Sequence, residues 1–97
     1  MMQKEDVLKS LREEMPTIKE KFGVKSIGLF GSYAKDLQNE ESDIDLLVDV
    51  AAPLSSNFFG LWNYLENYFN RKIDLTRKGK HLREKFIQTV EKEIIYA

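Results

Sequence analysis

The sequence predicts a small α/β layer fold, and three observations carry that prediction. Apolar stripes at helical spacing alternate along the chain with short apolar runs of strand character. The 97 residues are too few for more than one domain, so residues 1–97 are expected to form a single unit. With 42% hydrophobic and 32% charged residues, the chain has enough apolar mass for one core and does not read as a disordered tail.

Val7, Leu11, Ile18 and Phe22, with Met15 between them, follow three- and four-residue spacings and predict an amphipathic helix over residues 4–21. Pro16 lies inside it, where a missing amide donor and a clash with the preceding turn predict a kink or break. Gly23 is placed to end the helix. Val24 to Phe30 (VKSIGLF) reads as a first strand. Gly31-Ser32 then turns the chain, Tyr33 to Asp36 begins a short helical segment, and residues 37–42 form a polar loop. Asp43 to Val50 (DIDLLVDV) alternates strictly. Asp43, Asp45, Leu47 and Asp49 share one face, and Ile44, Leu46, Val48 and Val50 share the other, fully apolar one. Pro53, Ser55 and Ser56 read as a loop and helix N-cap. Phe58, Leu61, Trp62, Leu65, Tyr68 and Phe69 supply the stripe of a second long helix. Lys72 to Thr76 (KIDLT) is a third strand, with Ile73 and Leu75 opposite Asp74. Leu82, Phe86 and Val90, spaced by four after a Lys78-Gly79-Lys80 turn, predict a C-terminal helix, and Ile94 to Tyr96 a final short strand.

Composition excludes several chemistries. The chain has no cysteine, which removes disulfide scaffolds, thiol nucleophiles and thiolate metal sites, and its single histidine, His81, argues against a multi-histidine zinc centre. Fifteen basic against 16 acidic residues leave a net charge of −1, so no DNA partner is expected. No apolar run approaches the roughly 18 residues of a membrane span, and the charged N-terminus is no secretory signal. No membrane association is expected, and the expected compartment is the cytoplasm.

The chemistry concentrates mid-chain. Gly31-Ser32 lies between a strand and a helical segment, where a glycine lets backbone approach a ligand and free amides suit a phosphate. By itself the dipeptide is an ordinary strand-to-helix turn. Asp43 and Asp45 lie on one strand face with Cα atoms roughly 6.6 Å apart, a pair that suits a hard cation such as Mg²⁺ and repels when both are ionised. Read alone, such a pair is also a solvated strand face. Asp74, the one acidic residue of the third strand, would stand beside that pair if the strands are neighbours. Three carboxylates around one or two metal ions can orient a triphosphate and activate an attacking hydroxyl.

GLFGSYAKDLQNEESDIDLLV resembles the G-S-x-A-R-G … S-D-x-D signature of the nucleotidyltransferase superfamily that includes DNA polymerase β. The whole chain, through LREKFIQTVEKEIIYA, is similar to the minimal nucleotidyltransferase (MNT) family, the MntA-like antitoxins of HEPN/MNT toxin–antitoxin pairs. The resemblance implies a minimal polymerase β-like fold, a small mixed sheet with helices packed on it. It implies transfer of AMP from ATP, with Mg²⁺ or Mn²⁺, to a tyrosine of a HEPN ribonuclease partner. By the same resemblance Gly31 and Ser32 would hold the nucleotide phosphates, and Asp43 and Asp45 would bind metal. Asp74 would be the third carboxylate and the base for the acceptor hydroxyl. The pattern departs after the serine. Lys35 stands at the usual arginine, keeping a positive charge near the phosphates without the two-pronged donor. Asp36 stands at the usual glycine; it tolerates a left-handed turn but adds an anion near the phosphate site.

Two other functions compete with this one. A binding module could silence a toxin by masking it, with a vestigial site, and a transferase could act on a small molecule or RNA end. The second would need an acceptor-binding domain that 97 residues do not hold. Ser32 with His81 makes no convincing hydrolase pair, and His81 reads as exposed. Asp49 lies about 13 Å along the strand from Asp45, too far to share its ion. Trp62, Tyr64 and Tyr68, at helical spacing, read as core or interface rather than as a stack for adenine. The basic cluster of Arg71, Lys72, Arg77, Lys78, Lys80, Arg83 and Lys85 reads equally well as a solvated face or an attractor of phosphate.

Overall fold

The first helix, α1 (Lys4–Phe22), opens where the Gln3 N–H donates to the Asp6 carboxylate at 2.9 Å, in a computed structural model that describes residues 2–51 and 56–97. It closes at Gly23, whose φ of +67° is the left-handed conformation expected of a helix-ending glycine and whose N–H reaches the Lys19 carbonyl at 3.1 Å. The helix continues through Pro16, against the expected break. Pro16 lies on the exposed face, so the carbonyl deprived of its amide partner can be hydrated, while Val7, Leu11, Met15 and Ile18 hold the other face in the core.

The remaining elements follow as β1 (Val24–Phe30), α2 (Gly31–Ala34), β2 (Ile44–Val50), α3 (Ser56–Phe69), β3 (Ile73–Arg77), α4 (Glu84–Glu91) and β4 (Ile95–Tyr96). The loop and N-cap expected at Pro53 and Ser55 lie outside the described residues, and Ser56 is the first residue of α3. The sheet order is β3-β2-β1-β4. β1 runs antiparallel to β2 and β4, and β2 runs parallel to β3, so the sheet is mixed, as the family resemblance implied. An irregularity between Val24 and Ser26 shifts the β1 register, so Val24 and Ile27 both reach the same core despite their odd spacing.

The two sheet faces are unequal. On one, α1 and α3 bury Ile27 and Leu29 of β1, Ile44, Leu46 and Val48 of β2, and Ile73 and Leu75 of β3. Each such side chain contributes about 1.5–3 kcal/mol on leaving water, which makes this face the main source of stability. Helix α3 is also held by polar contacts. The Trp62 indole N–H donates to the Ile73 carbonyl at 2.8 Å, and the Tyr64 hydroxyl donates to Glu14 of α1.

The second face is only partly covered. Val90, Phe86 and Leu82, on or just before α4, pack over Phe30 and Leu47, with the Phe30 and Phe86 rings edge to face at 5.9 Å. Leu47, which alternation puts among the aspartates, is therefore buried, and the two faces of β2 differ less than the pattern suggests. Asp43, Asp45 and Asp74 remain beyond the buried patch.

Candidate functional site

The site is built where β1 ends. Phe30 is the register partner of Asp45, so the turn at Gly31 passes directly beside the Asp45 side chain. Gly31 has a φ of +72°, and a Cβ there would run into the Asp45 carboxylate. Both backbone conformation and space therefore require glycine. The turn that follows is held by its own backbone, with the Leu37 N–H on the Ser32 carbonyl at 2.9 Å and the Lys35 N–H near the Gly31 and Ser32 carbonyls.

The parallel pairing of β2 with β3 sets Asp45 against Asp74 in register. Their backbones are separated by about 4.8 Å, the ordinary strand spacing, and Asp43 precedes Asp45 by two residues. Asp45 is half-buried and Asp74 exposed, so the cluster has an inner and an outer carboxylate. The Asp45 carboxyl is pushed up to about 6. Burial is the main cause, followed by the charges of Asp74 and Asp43, a hydrogen bond with Asp74, and the charge of Glu93. Carboxylates this close resist joint ionisation, and a cation among them would relieve that cost.

Among the described residues no three histidine or acidic side chains converge as a ready-made metal cage. The donors here are all carboxylate oxygens, and Mg²⁺ is typically held by one or two carboxylates completed by water and substrate phosphates. The residues fit such an ion in chemistry and number.

The basic and acidic groups near the turn are arranged differently from expectation. Asp36 adopts a φ of +58°, the left-handed turn that a glycine would occupy, but its carboxylate pairs with Lys4 of α1 at 3.1 Å. It is held toward α1 rather than left free beside the turn. Lys35 reaches the Glu93 carboxylate at 3.8 Å, and the other Glu93 oxygen accepts the Gly31 N–H at 2.6 Å. Sequence reasoning missed Glu93, which comes from 62 residues away and sits in no periodic pattern.

The other singled-out residues stand apart from this cluster. Asp49 pairs in register with Ser26 toward the far end of β1. His81 is exposed, as expected. Trp62 and Tyr64 are taken up by the contacts that anchor α3, and the Tyr64 hydroxyl is pushed up to about 12, chiefly by its hydrogen bond to Glu14. Tyr68 is exposed. Of the basic cluster, Arg71 and Arg77 are half-buried and the rest exposed. Among the described residues no helix is long and apolar enough to cross a membrane.

Residues 8–96 match the nucleotidyltransferase domain family. The protein adenylyltransferase MntA of Thermococcus cleftensis is 35% identical over 97 residues, spanning 99% of this chain and 97% of that protein. The solved structure of a candidate minimal nucleotidyltransferase superposes with a TM-score of 0.79 at 26% identity, covering 97% of this chain and 95% of that one. A chain from a toxin–antitoxin complex crystallised with AMP-PNP superposes with a TM-score of 0.67 at 25% identity, covering 98% of this chain and 72% of that one.

Proposed function

The chain belongs to the nucleotidyltransferase domain family, and from that premise we propose that it transfers AMP from ATP to a hydroxyl of a partner protein. The acceptor is a tyrosine of a HEPN-domain toxin, and the transfer makes this chain the antitoxin of the pair. The observation that carries the proposal is the in-register pair Asp45 and Asp74, with Asp43 beside them and the Gly31 turn against them. The protein adenylyltransferase relative supports the AMP group, and the toxin–antitoxin structure with AMP-PNP supports an adenine nucleotide and a toxin partner.

In this reading residues 1–97 form one cytoplasmic nucleotidyltransferase domain with no DNA or membrane partner. The Gly31 amide, Ser32 and Lys35 bind the triphosphate. Asp43, Asp45 and Asp74 would hold Mg²⁺ or Mn²⁺, which when bound offsets the carboxylate charge and the charge developing on the leaving pyrophosphate. Asp74, the exposed member, accepts the proton of the tyrosine hydroxyl. The tyrosine oxygen bonds to the α-phosphorus as the bond from that phosphorus to the bridging oxygen of pyrophosphate breaks. The products are an AMP–tyrosine ester and pyrophosphate. In this reading the partner presents the acceptor hydroxyl.

The test is the intact mass of a HEPN-domain protein, taken from a neighbouring gene where one encodes it, after incubation with ATP and Mg²⁺. Wild type is expected to add whole AMP units, and the Asp43→Asn/Asp45→Asn double variant none. No addition by wild type, with the two proteins still bound and the toxin silent, would instead establish neutralisation by masking.

A further inference from the structure

We infer that Glu93 is a built-in competitor of the triphosphate, holding the Gly31 amide and Lys35 and thereby setting nucleotide affinity. The inference rests on the transfer reading above, which assigns those two groups to the phosphates. One Glu93 oxygen accepts the Gly31 N–H at 2.6 Å, and the other lies 3.8 Å from the Lys35 ammonium. A single carboxylate thus spans both groups, as a phosphate oxygen pair would.

The surroundings make this a built contact. The Glu93 side chain is only 16% exposed, although it adds its charge to a neighbourhood that already holds Asp43, Asp45 and Asp74. A carboxylate withdrawn from water among like charges is tolerated only with partners of its own: the Gly31 N–H donates to it, and the Lys35 ammonium supplies the opposite charge. Its backbone has little freedom. The Glu93 and Ile94 N–H groups both donate to the Val90 carbonyl, at 3.0 and 2.8 Å, and the Ala97 N–H donates to the Ile27 carbonyl at 2.9 Å. The edge-to-face Phe30–Phe86 contact seats α4 on the sheet. Release therefore comes from rotation of the Glu93 side chain and not from movement of the helix. The Gly31 amide has one proton to give, so a phosphate oxygen takes it only when Glu93 lets go.

Glu93→Gln keeps an oxygen acceptor for the Gly31 N–H and removes the charge. Calorimetric titration with ATP and Mg²⁺, without acceptor protein, is expected to show roughly 3- to 10-fold tighter binding by the variant, the size of one partly screened charge–charge contact. Equal or weaker binding by a variant of unchanged melting temperature would overturn the inference and leave Glu93 as a cap on the β1 edge. A second measurement uses wild type alone. Saturation with ATP and Mg²⁺ is expected to shift the NMR signals of the Gly31 amide and the Glu93 carboxyl carbon together. Shifts at Asp45 with none at Gly31 and Glu93 would overturn the competition while sparing the transfer reading. No nucleotide binding by either protein would overturn both.

Discussion

The Asp45 carboxylate lies where a Cβ on Gly31 would have to go. One glycine thus answers two demands, a left-handed φ of +72° and room for the innermost carboxylate of the cluster. The Gly31 turn and the acidic cluster are consequently coupled, because moving the turn away from Asp45 would also move its amide.

Gly31→Ala tests that coupling. The left-handed backbone costs a non-glycine residue roughly 1–2 kcal/mol, and forcing a methyl against Asp45 adds about 1–3 kcal/mol of overpacking. Urea denaturation is expected to show a loss of roughly 2–5 kcal/mol, with AMP transfer abolished even where the variant is folded. Full transfer activity would mean that the turn and the carboxylate act independently.

Asp45→Asn is expected to abolish transfer and yet stabilise the metal-free protein above pH 7. The Asp45 carboxyl rises from an ordinary 3.8 to about 6, so between those values the folded state holds a proton that the unfolded chain has lost. Wild-type stability therefore falls as pH rises from about 4 to about 6, and the penalty is complete above that window. After a discount for its partial exposure, the penalty is on the order of 1 kcal/mol. Urea denaturation in EDTA is the measurement. The asparagine variant should be the more stable at pH 7.5, and the gap should close toward pH 4.

Asp36→Gly should leave nucleotide affinity unchanged, because the Asp36 carboxylate is engaged by Lys4. Loss of that exposed pair costs about 0–1 kcal/mol, and relief of a positive φ returns a comparable amount. Net stability should change by less than about 1 kcal/mol. ATP titration decides the point, since tighter binding would show that the Asp36 charge reaches the phosphates after all.

Trp62→Phe should lower stability and spare catalysis. It removes the donor to the Ile73 carbonyl, and a buried carbonyl left unpaired costs about 1–3 kcal/mol. A lower urea midpoint with retained transfer is the expected result. Loss of transfer by the folded variant would instead give Trp62 a role at the site, through the strand that carries Asp74.

Much of the site was legible because its parts are local. The alternation of DIDLLVDV puts Asp43 and Asp45 on one face, and the carboxylate in KIDLT is opposed by two apolar neighbours, so each strand announces its polar side. Gly31-Ser32 was visible as a turn for the same reason. Pro16 misled because local chemistry predicts a break, whereas the packing of Val7, Leu11, Met15 and Ile18 holds the helix through it on the core side. Leu47 misled in the opposite sense, since alternation says which face it occupies but not that α4 will cover that face.

By itself, then, the sequence determined the elements, the faces of their side chains and the local placement of the Gly31 turn and the aspartates. These depend on spacings of two to four residues, within reach of a single strand or helical turn. Only the tertiary structure decided that β2 and β3 pair with Asp45 opposite Asp74, that Asp36 turns to Lys4, and that Glu93 crosses 62 residues to take the Gly31 amide. Those outcomes follow from strand order, register and the seating of α4, and no local pattern specifies which of 16 acidic side chains will arrive at one amide.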